Sequence, residues 1–356
     1  MKFGIFLPNG SKGYILSTTS PQYAPTFGHN LAISLEAERQ GLDYVLSMSK
    51  FRGFGGDSGY WNACLESLTL MAGLAAATKK IQLFPSIGLQ SMHPAVVARI
   101  VATIDDISGG RCGLNIVTGW NKPEYAQMGL WQGDDYYERR YDYAAEYVRI
   151  LKMLWRDGTA TLDGEFFKLD DCRCLPKPRN EITIVCAGQS PRGIEFVSRH
   201  GDFNFVMATA AGLNSISSRL DEAANSHGRK AGTLGLFTLI AAETDAAAKL
   251  IAEEIMRGAD HQAISNVINS AALDSNPAGT SAALQAGLSR SLAEGNLVFM
   301  GFPVIIGSYE SVAAQIDEIA RAGGIEGILF NMPDFVPNIR AFGERVMPLL
   351  ACRAAG

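Results

Sequence analysis

The stretch ITIVCAGQSPRGIEFVSRH, residues 182–200, reads as a strand, a turn and a helix. Residues 182–186 form a short apolar run of strand type, and 191–200 return apolar side chains at helical spacing. Ser190 stands at the N-cap position, and Pro191 takes the first helical position, where a missing N–H costs nothing. Gly188 permits a close backbone approach in the turn. Such a unit puts a helix N-terminus at the carboxyl end of a strand.

The same alternation recurs in both directions along the chain. Strand-like runs are expected at 3–7, 44–48, 81–86, 113–117, 182–186, 203–207, 234–241 and 327–331. Helical patterns follow at 30–40, 61–78, 94–107, 135–154, 191–200, 212–226, 245–257 and 310–322, and a final helix is expected at 338–350. Eight strands alternating with eight helices point to an α/β protein of the (β/α)8 TIM-barrel type. An open doubly wound sheet is the other arrangement this order permits. No break in composition divides the chain, so residues 1–356 are read as one barrel domain.

Three connections exceed what a minimal barrel needs: 9–28, 117–133 and 261–301. Long loops in compact domains are usually functional or disordered. The first two follow strands directly and so belong to the catalytic face of a barrel. The third suits a lid or an oligomer contact. The proline-bearing stretch 173–179 reads as a surface connection before the fifth strand.

The chain has 356 residues, 47% of them hydrophobic, and a formal charge of −5. That length buries a sizeable core without staples. Weak acidity argues against nucleic-acid binding. No run of 18 apolar residues occurs, so no membrane span is expected, and a strand-like start without a signal-peptide pattern leads us to expect a cytoplasmic protein. Six cysteines in a chain of this size do not make a disulfide framework, and Cys172 and Cys174 lack a second pair at zinc spacing. The five scattered histidines give no metal motif, and no GxGxxG follows the first strand.

Ser190 admits three readings. A helix start with Gly188 and Gln189 before it suits an anion such as a phosphate. Plain capping is the second. The third, a serine nucleophile, is weakened because Gly188-Gln189-Ser190-Pro191-Arg192 breaks the G-x-S-x-G pattern at its last position. Asn115 interrupts the apolar run 113–117. A buried amide needs partners, and either backbone groups or a ligand at a strand end would provide them. The aromatic and charged residues of 118–125 and 134–143 fit a planar phosphorylated ligand, or an amphipathic helix with surface ion pairs.

Longer motifs carry a resemblance over most of the chain. SPQYAPTF (20–27), RGFGG (52–56), LMAGLAA (70–76), ATIDDISGGRCGLNIVTGWNKPEYAQMG (102–129), DDYYERRYDY (134–143), CAGQS (186–190), DFNF (202–205) and FGER (342–345) resemble the bacterial luciferase-like flavin monooxygenase family, and within it the RutA-type pyrimidine oxygenases. The resemblance implies a (β/α)8 barrel with FMN. It implies flavin contacts at Ser49, Lys50, Asn115, Glu124, Arg140, Tyr141 and Ser190, with Gly188 and Gln189 in the same turn as Ser190. Leu46, Lys50, Ser86, Asn115 and Phe205 match positions around the reactive flavin edge. It implies a two-component system, in which a separate NAD(P)H-dependent flavin reductase supplies reduced FMN and O2 is the cosubstrate. A flavin peroxide would then open a pyrimidine-like ring, with uracil and thymine the leading substrates. A homodimer or homotetramer is the family's habit. Another N-heterocycle, a sulfone or sulfonate, or a haloarene is the alternative substrate.

Several positions depart from that family. Ser49 is polar where an apolar residue is expected, and Ser86 replaces threonine. The third-strand exit, 84–93, carries Gln90 and His93 where the family is rich in Ala and Thr, and 260–300 resembles the family weakly. His93 either faces substrate or starts the next helix at the surface. The machinery is kept while the pocket lining differs.

Overall fold

A computed structural model describes residues 1–274, 287, 289 and 297–354. The strands are β1 (Lys2–Leu7), β2 (Tyr44–Ser47), β3 (Gln82–Phe84), β4 (Ser86–Gly88), β5 (Leu114–Val117), β6 (Thr159–Asp163), β7 (Lys168–Arg173), β8 (Ile184–Cys186), β9 (Phe203–Val206), β10 (Gly232–Ala242), β11 (Val304–Ser308) and β12 (Ile325–Asn331). The principal helices are α1 (Phe27–Arg39), α2 (Ser67–Ala77), α3 (Pro94–Ser108), α4 (Lys122–Ala126), α5 (Tyr136–Asp157), α6 (Pro191–His200), α7 (Ala210–Ser226), α8 (Asp245–Arg257), α9 (His261–Ala271), α10 (Tyr309–Arg321) and α11 (Phe335–Ala341).

The main sheet runs β3-β2-β1-β12-β10-β9-β8-β5-β4, with every pair parallel. Its two ends, β3 and β4, are consecutive in the chain and separated only by Pro85. The sheet therefore closes on itself as a TIM barrel, as the alternation of elements led us to expect. The expected third strand, 81–86, is the broken one. Pro85 has no N–H to give a ladder, although its carbonyl accepts the Asn115 N–H at 2.8 Å.

Strand alternation sorts the side chains. Phe3, Ile5 and Leu7 join the layer between sheet and helices, whereas Phe6 joins the barrel interior. Val45 and Leu83 face the helices, and Tyr44, Leu46 and Phe84 face inward. Gly4 is required at its inward position, because a Cβ there would run into the Tyr44 ring. On β5, Leu114 and Ile116 point to the helices, which turns Asn115 inward.

Two expected helices needed correction, and two further features lie where no element was expected. The helix expected from residue 61 begins at Ser67, capped by the Glu66 carboxylate; Trp61 lies before it with a left-handed φ of 58°. The connection between α5 and β8 contains an antiparallel hairpin, β6–β7. β11 pairs with the far end of the long β10 and lies outside the ring. The final helix is α11 followed by a wider turn over Phe342–Val346 and a tighter one over Met347–Leu349. In the 261–301 connection α9 is helical; the role expected for the rest falls largely on 275–286, 288 and 290–296, outside the described residues.

Candidate active site

A cavity of about 200 Å³ lies at the carboxyl ends of the barrel strands. One water needs roughly a tenth of that, so the space suits a ligand. Its walls are largely aromatic: Phe6, Tyr14, Trp61, Trp120, Phe205 and Phe302. Phe6 stacks on Tyr14 with centroids 4.0 Å apart, and Phe205 meets Phe6 edge-on at 5.8 Å. The polar lining is Ser49, Lys50, Ser86, Asn115, Glu124 and Gln189, with Gly188 beside them.

Asn115 and Ser86 are neighbours across the β4–β5 ladder. The Asn115 Nδ2 donates to Ser86 Oγ at 2.7 Å, and Ser86 Oγ donates in turn to the Ser47 carbonyl. The Ser86 N–H goes to Ser67 Oγ at 2.7 Å, and Ser67 Oγ lies 2.5 Å from Ser47 Oγ. All four residues are buried. The Asn115 Oδ1 accepts no hydrogen bond from the described residues. Ser86 borders the cavity, but its one proton is committed to Ser47, so it presents only a lone pair.

Lys50 is fully engaged as well. Its ammonium lies 2.9 Å from Glu124 Oε2, and the other Glu124 oxygen accepts the Phe51 N–H at 2.6 Å. The rings of Phe54, Trp61 and Trp120 stand 4.6, 5.7 and 5.6 Å from the same ammonium. A buried cation is tolerated when paired and faced by aromatic quadrupoles. The Lys50–Glu124 salt bridge is therefore an interior one.

At the other end, Ser190 caps α6, its Oγ accepting the Gly193 N–H at 3.1 Å. The close approach at Gly188 is to the protein itself, since a Cβ there would stand 2.6 Å from the Gly193 carbonyl oxygen. The Tyr141 hydroxyl abuts this first turn, 2.7 Å from where a Gly193 Cβ would lie, and has no hydrogen-bond partner among the described residues. Arg140 is wholly buried; its Nη1 pairs with Asp274 at 2.9 Å, while Nε and Nη2 have no hydrogen-bond partner among the described residues.

Eight of the residues singled out in the sequence thus border one cavity: Ser49, Lys50, Ser86, Asn115, Glu124, Gly188, Gln189 and Phe205. Ser190, Tyr141 and Arg140 do not border it; Ser190 directly follows Gln189. Leu46 is fully buried in the interior layer and does not reach the cavity. His93 is the N-cap of α3, accepting the Ala95 N–H at 3.2 Å, with its ring edge-on to Phe167. It is a surface helix start, not part of the lining. The Ser190 hydroxyl is paired with Gly193 rather than with a histidine, which removes the support for a nucleophile.

Sequence reasoning missed Ser47, Ser67, Phe54 and Trp61. Trp61 was hidden by the helix expected over it. The two serines carry no local signal, because their partners lie elsewhere in the chain. Among the described residues no group of His, Cys, Asp and Glu is placed to hold a metal, and no helix is long and apolar enough to cross a membrane. All six cysteines are free, and burial raises the thiols of Cys112 and Cys186 well above the ordinary range.

The sequence matches the family described as luciferase-like monooxygenase over residues 1–326. It is 45% identical over 359 residues to the pyrimidine monooxygenase RutA of Escherichia coli O6:K15:H31 (strain 536 / UPEC), covering 99% of this chain and 97% of that protein. The RutA protein of Escherichia coli O150:H5 (strain SE15) is also 45% identical, with 99% and 92% covered. Among solved structures, a riboflavin lyase (RcaE), crystallised with modified FMN and riboflavin, superposes with a TM-score of 0.87 at 21% identity over 99% of this chain and 92% of that one. The EDTA monooxygenase EmoA from Chelativorans sp. BNC1 gives 0.83 at 19% identity, over 100% and 94%. At these identities the structural likeness establishes the fold.

Proposed function

The chain belongs to the luciferase-like monooxygenase family, and from that premise we propose that it is the FMN-dependent oxygenase of a two-component system that opens a pyrimidine-like cyclic amide. Uracil and thymine are the first substrates to test. The relatives of 45% identity are named pyrimidine monooxygenases and match over nearly their whole length. The observation that carries the reading is an aromatic-walled cavity at the strand ends bordered by Asn115, whose buried carbonyl has no partner among the described residues. A buried acceptor without a partner is costly, and a flat ring bearing N–H groups satisfies it.

The residues fit FMN. Ser49, Lys50, Glu124, Gly188 and Gln189 border the space in which it would lie. The start of α6 favours a phosphate through its dipole, and the donors of Tyr141 and Arg140 that have no partner among the described residues suit an anion. Reduced flavin, when bound, supplies the electrons that activate dioxygen. The protein's part is to orient and to shelter. The aromatic walls exclude water and grip planar rings. Asn115 accepts a ring N–H. The Lys50–Glu124 pair holds the loop after β2 against α4, which keeps Trp61 and Trp120 on the cavity wall. A separate flavin reductase supplies the reduced cofactor, and the chain works as a homodimer or homotetramer.

The test is turnover of uracil and thymine with O2, NADH, FMN and a generic flavin reductase, beside a sulfone, a sulfonate and a haloarene. Ring-opened product from the pyrimidines is the expected outcome. Product only from one of the other compounds moves the chain to a different substrate class, and no flavin uptake at all removes the oxygenase reading.

A further inference from the structure

Pro85 interrupts the third strand of the barrel, and the site's main polar group sits on that seam. Leu46 pairs with Phe84 across β2–β3, but the ladder stops there. Ser86 must find other partners for its backbone and side chain. Its N–H is taken by Ser67 Oγ, from the first turn of α2, and its hydroxyl by the Ser47 carbonyl. Ser47 and Ser67 are themselves joined through their hydroxyls. Three serines thus stitch β2, α2 and β4 together behind Asn115.

Proton counting fixes what this stitching does. The Ser47 carbonyl can only accept, so the single Ser86 hydroxyl proton is spent on it. Ser86 Oγ then faces Asn115 with a lone pair. Only the Nδ2 of Asn115 can satisfy it, at 2.7 Å. The amide is therefore fixed with Nδ2 on Ser86 and Oδ1 as its other end, which has no partner among the described residues, in a side chain that borders the cavity. Free rotation would let an asparagine offer either end; here one of the two Nδ2 protons is spent on Ser86, and the carbonyl is the end left without a partner among the described residues.

We propose that Ser67 is a positioning residue which, through Ser86, fixes the Asn115 amide with its carbonyl as the open hydrogen-bonding end, so that the site favours a ligand presenting an N–H of a planar amide-type ring to that carbonyl. The proposal rests on the cavity being the ligand site, as in the function proposed above. The N–H can come from the ring substrate or from the flavin itself, and paired probes separate these sources.

The experiment is equilibrium binding to the full chain, without turnover, for wild type, Ser67→Ala and Ser67→Thr. The probe pairs are uracil against 1,3-dimethyluracil, FMN against 3-methyl-FMN, and reduced against oxidised FMN under anaerobic conditions. Wild type is expected to prefer the N–H member of one pair by about tenfold or more. That preference falls to about threefold or less in Ser67→Ala and returns in Ser67→Thr, which restores the hydroxyl. The pair that responds identifies the source of the N–H. Ser86→Ala, which frees the amide directly, is expected to lose the same preference and serves if Ser67→Ala does not fold. Flavin or uracil bound without preference in any pair overturns the acceptor assignment and leaves the oxygenase reading standing. A preference unchanged in Ser67→Ala and in Ser86→Ala overturns the positioning role. A preference for uracil with no flavin bound by any variant supports the proposal while removing the oxygenase reading. No binding of any probe removes both.

Discussion

Lys50 and Glu124, 74 residues apart, form an ion pair at 2.9 Å with both side chains over nine-tenths buried. Three aromatic rings face the ammonium, and the second carboxylate oxygen holds the Phe51 N–H. The pair joins the loop after β2 to α4 and so closes one side of the cavity. Removing one partner leaves the other charged and buried. Glu124→Ala is therefore expected to lower stability by about 3 kcal/mol. Glu124→Gln, which keeps an acceptor for Phe51, is expected to cost less. Urea unfolding of the three proteins checks the order, and an unchanged midpoint for Glu124→Ala would count against the structural weight given to this pair.

Asn115 offers the cavity its only inward amide on the β4–β5 seam. Asn115→Ala is expected to cut turnover about 100-fold or more, the scale on which a single oriented catalytic hydrogen bond acts. Flavin binding should survive in part, since the α6 end and the aromatic walls remain. Steady-state assay beside flavin titration reads both quantities. Turnover at the wild-type level would remove Asn115 from the reaction.

At the α6 terminus, capping and phosphate binding make separable demands. Ser190→Ala loses the bond to the Gly193 N–H and should destabilise by about 1 kcal/mol, with a modest loss of FMN affinity because helix N–H groups persist. Ser190→Asp keeps a capping oxygen and adds negative charge. It should restore stability while weakening FMN more than alanine does. Equal FMN affinity in all three would place the phosphate elsewhere.

His200, at the end of α6, has its pKa lowered to about 4, chiefly by burial and then by the nearby Lys152, Arg229 and Arg199. The unfolded chain binds this proton near the ordinary value of about 6.5, so between pH 6.5 and 4 it holds more protons than the folded one. The stability contributed by a neutral His200 is thus complete above pH 6.5 and lost as pH falls toward 4. His200→Gln should flatten the fall in melting temperature over that window. A slope identical to wild type would show that His200 does not titrate as its surroundings dictate.

Local pattern made much of the fold legible. The strand–turn–helix at 182–200 was readable because N-capping spans three residues and apolar periodicity spans one element; both survive as Ser190–Gly193 and α6. The inward face of Asn115 follows from strand alternation alone. Resemblance supplied the positions of Lys50, Glu124 and Gln189, which border the cavity, and of Leu46, which packs beneath it. The 61–78 helix was misplaced at its start because the apolar residues of 60–65 fit a helical period, whereas Trp61 is pulled out of it to donate its Nε1–H to the Gly13 carbonyl at 2.6 Å.

By itself the sequence determined the order of elements, which a barrel and an open doubly wound sheet both satisfy, and the alternation of side chains along each strand. These depend on periodicities of two and about 3.6 residues, written along the chain. Only the tertiary structure decided that Ser47, Ser67 and Ser86 meet behind Asn115, that Arg140 pairs with an aspartate 134 residues away, and that Lys50 is caged rather than exposed. Hydrogen bonds and ion pairs across such separations leave no periodic trace, because each depends on where closing the barrel brings two distant backbones together.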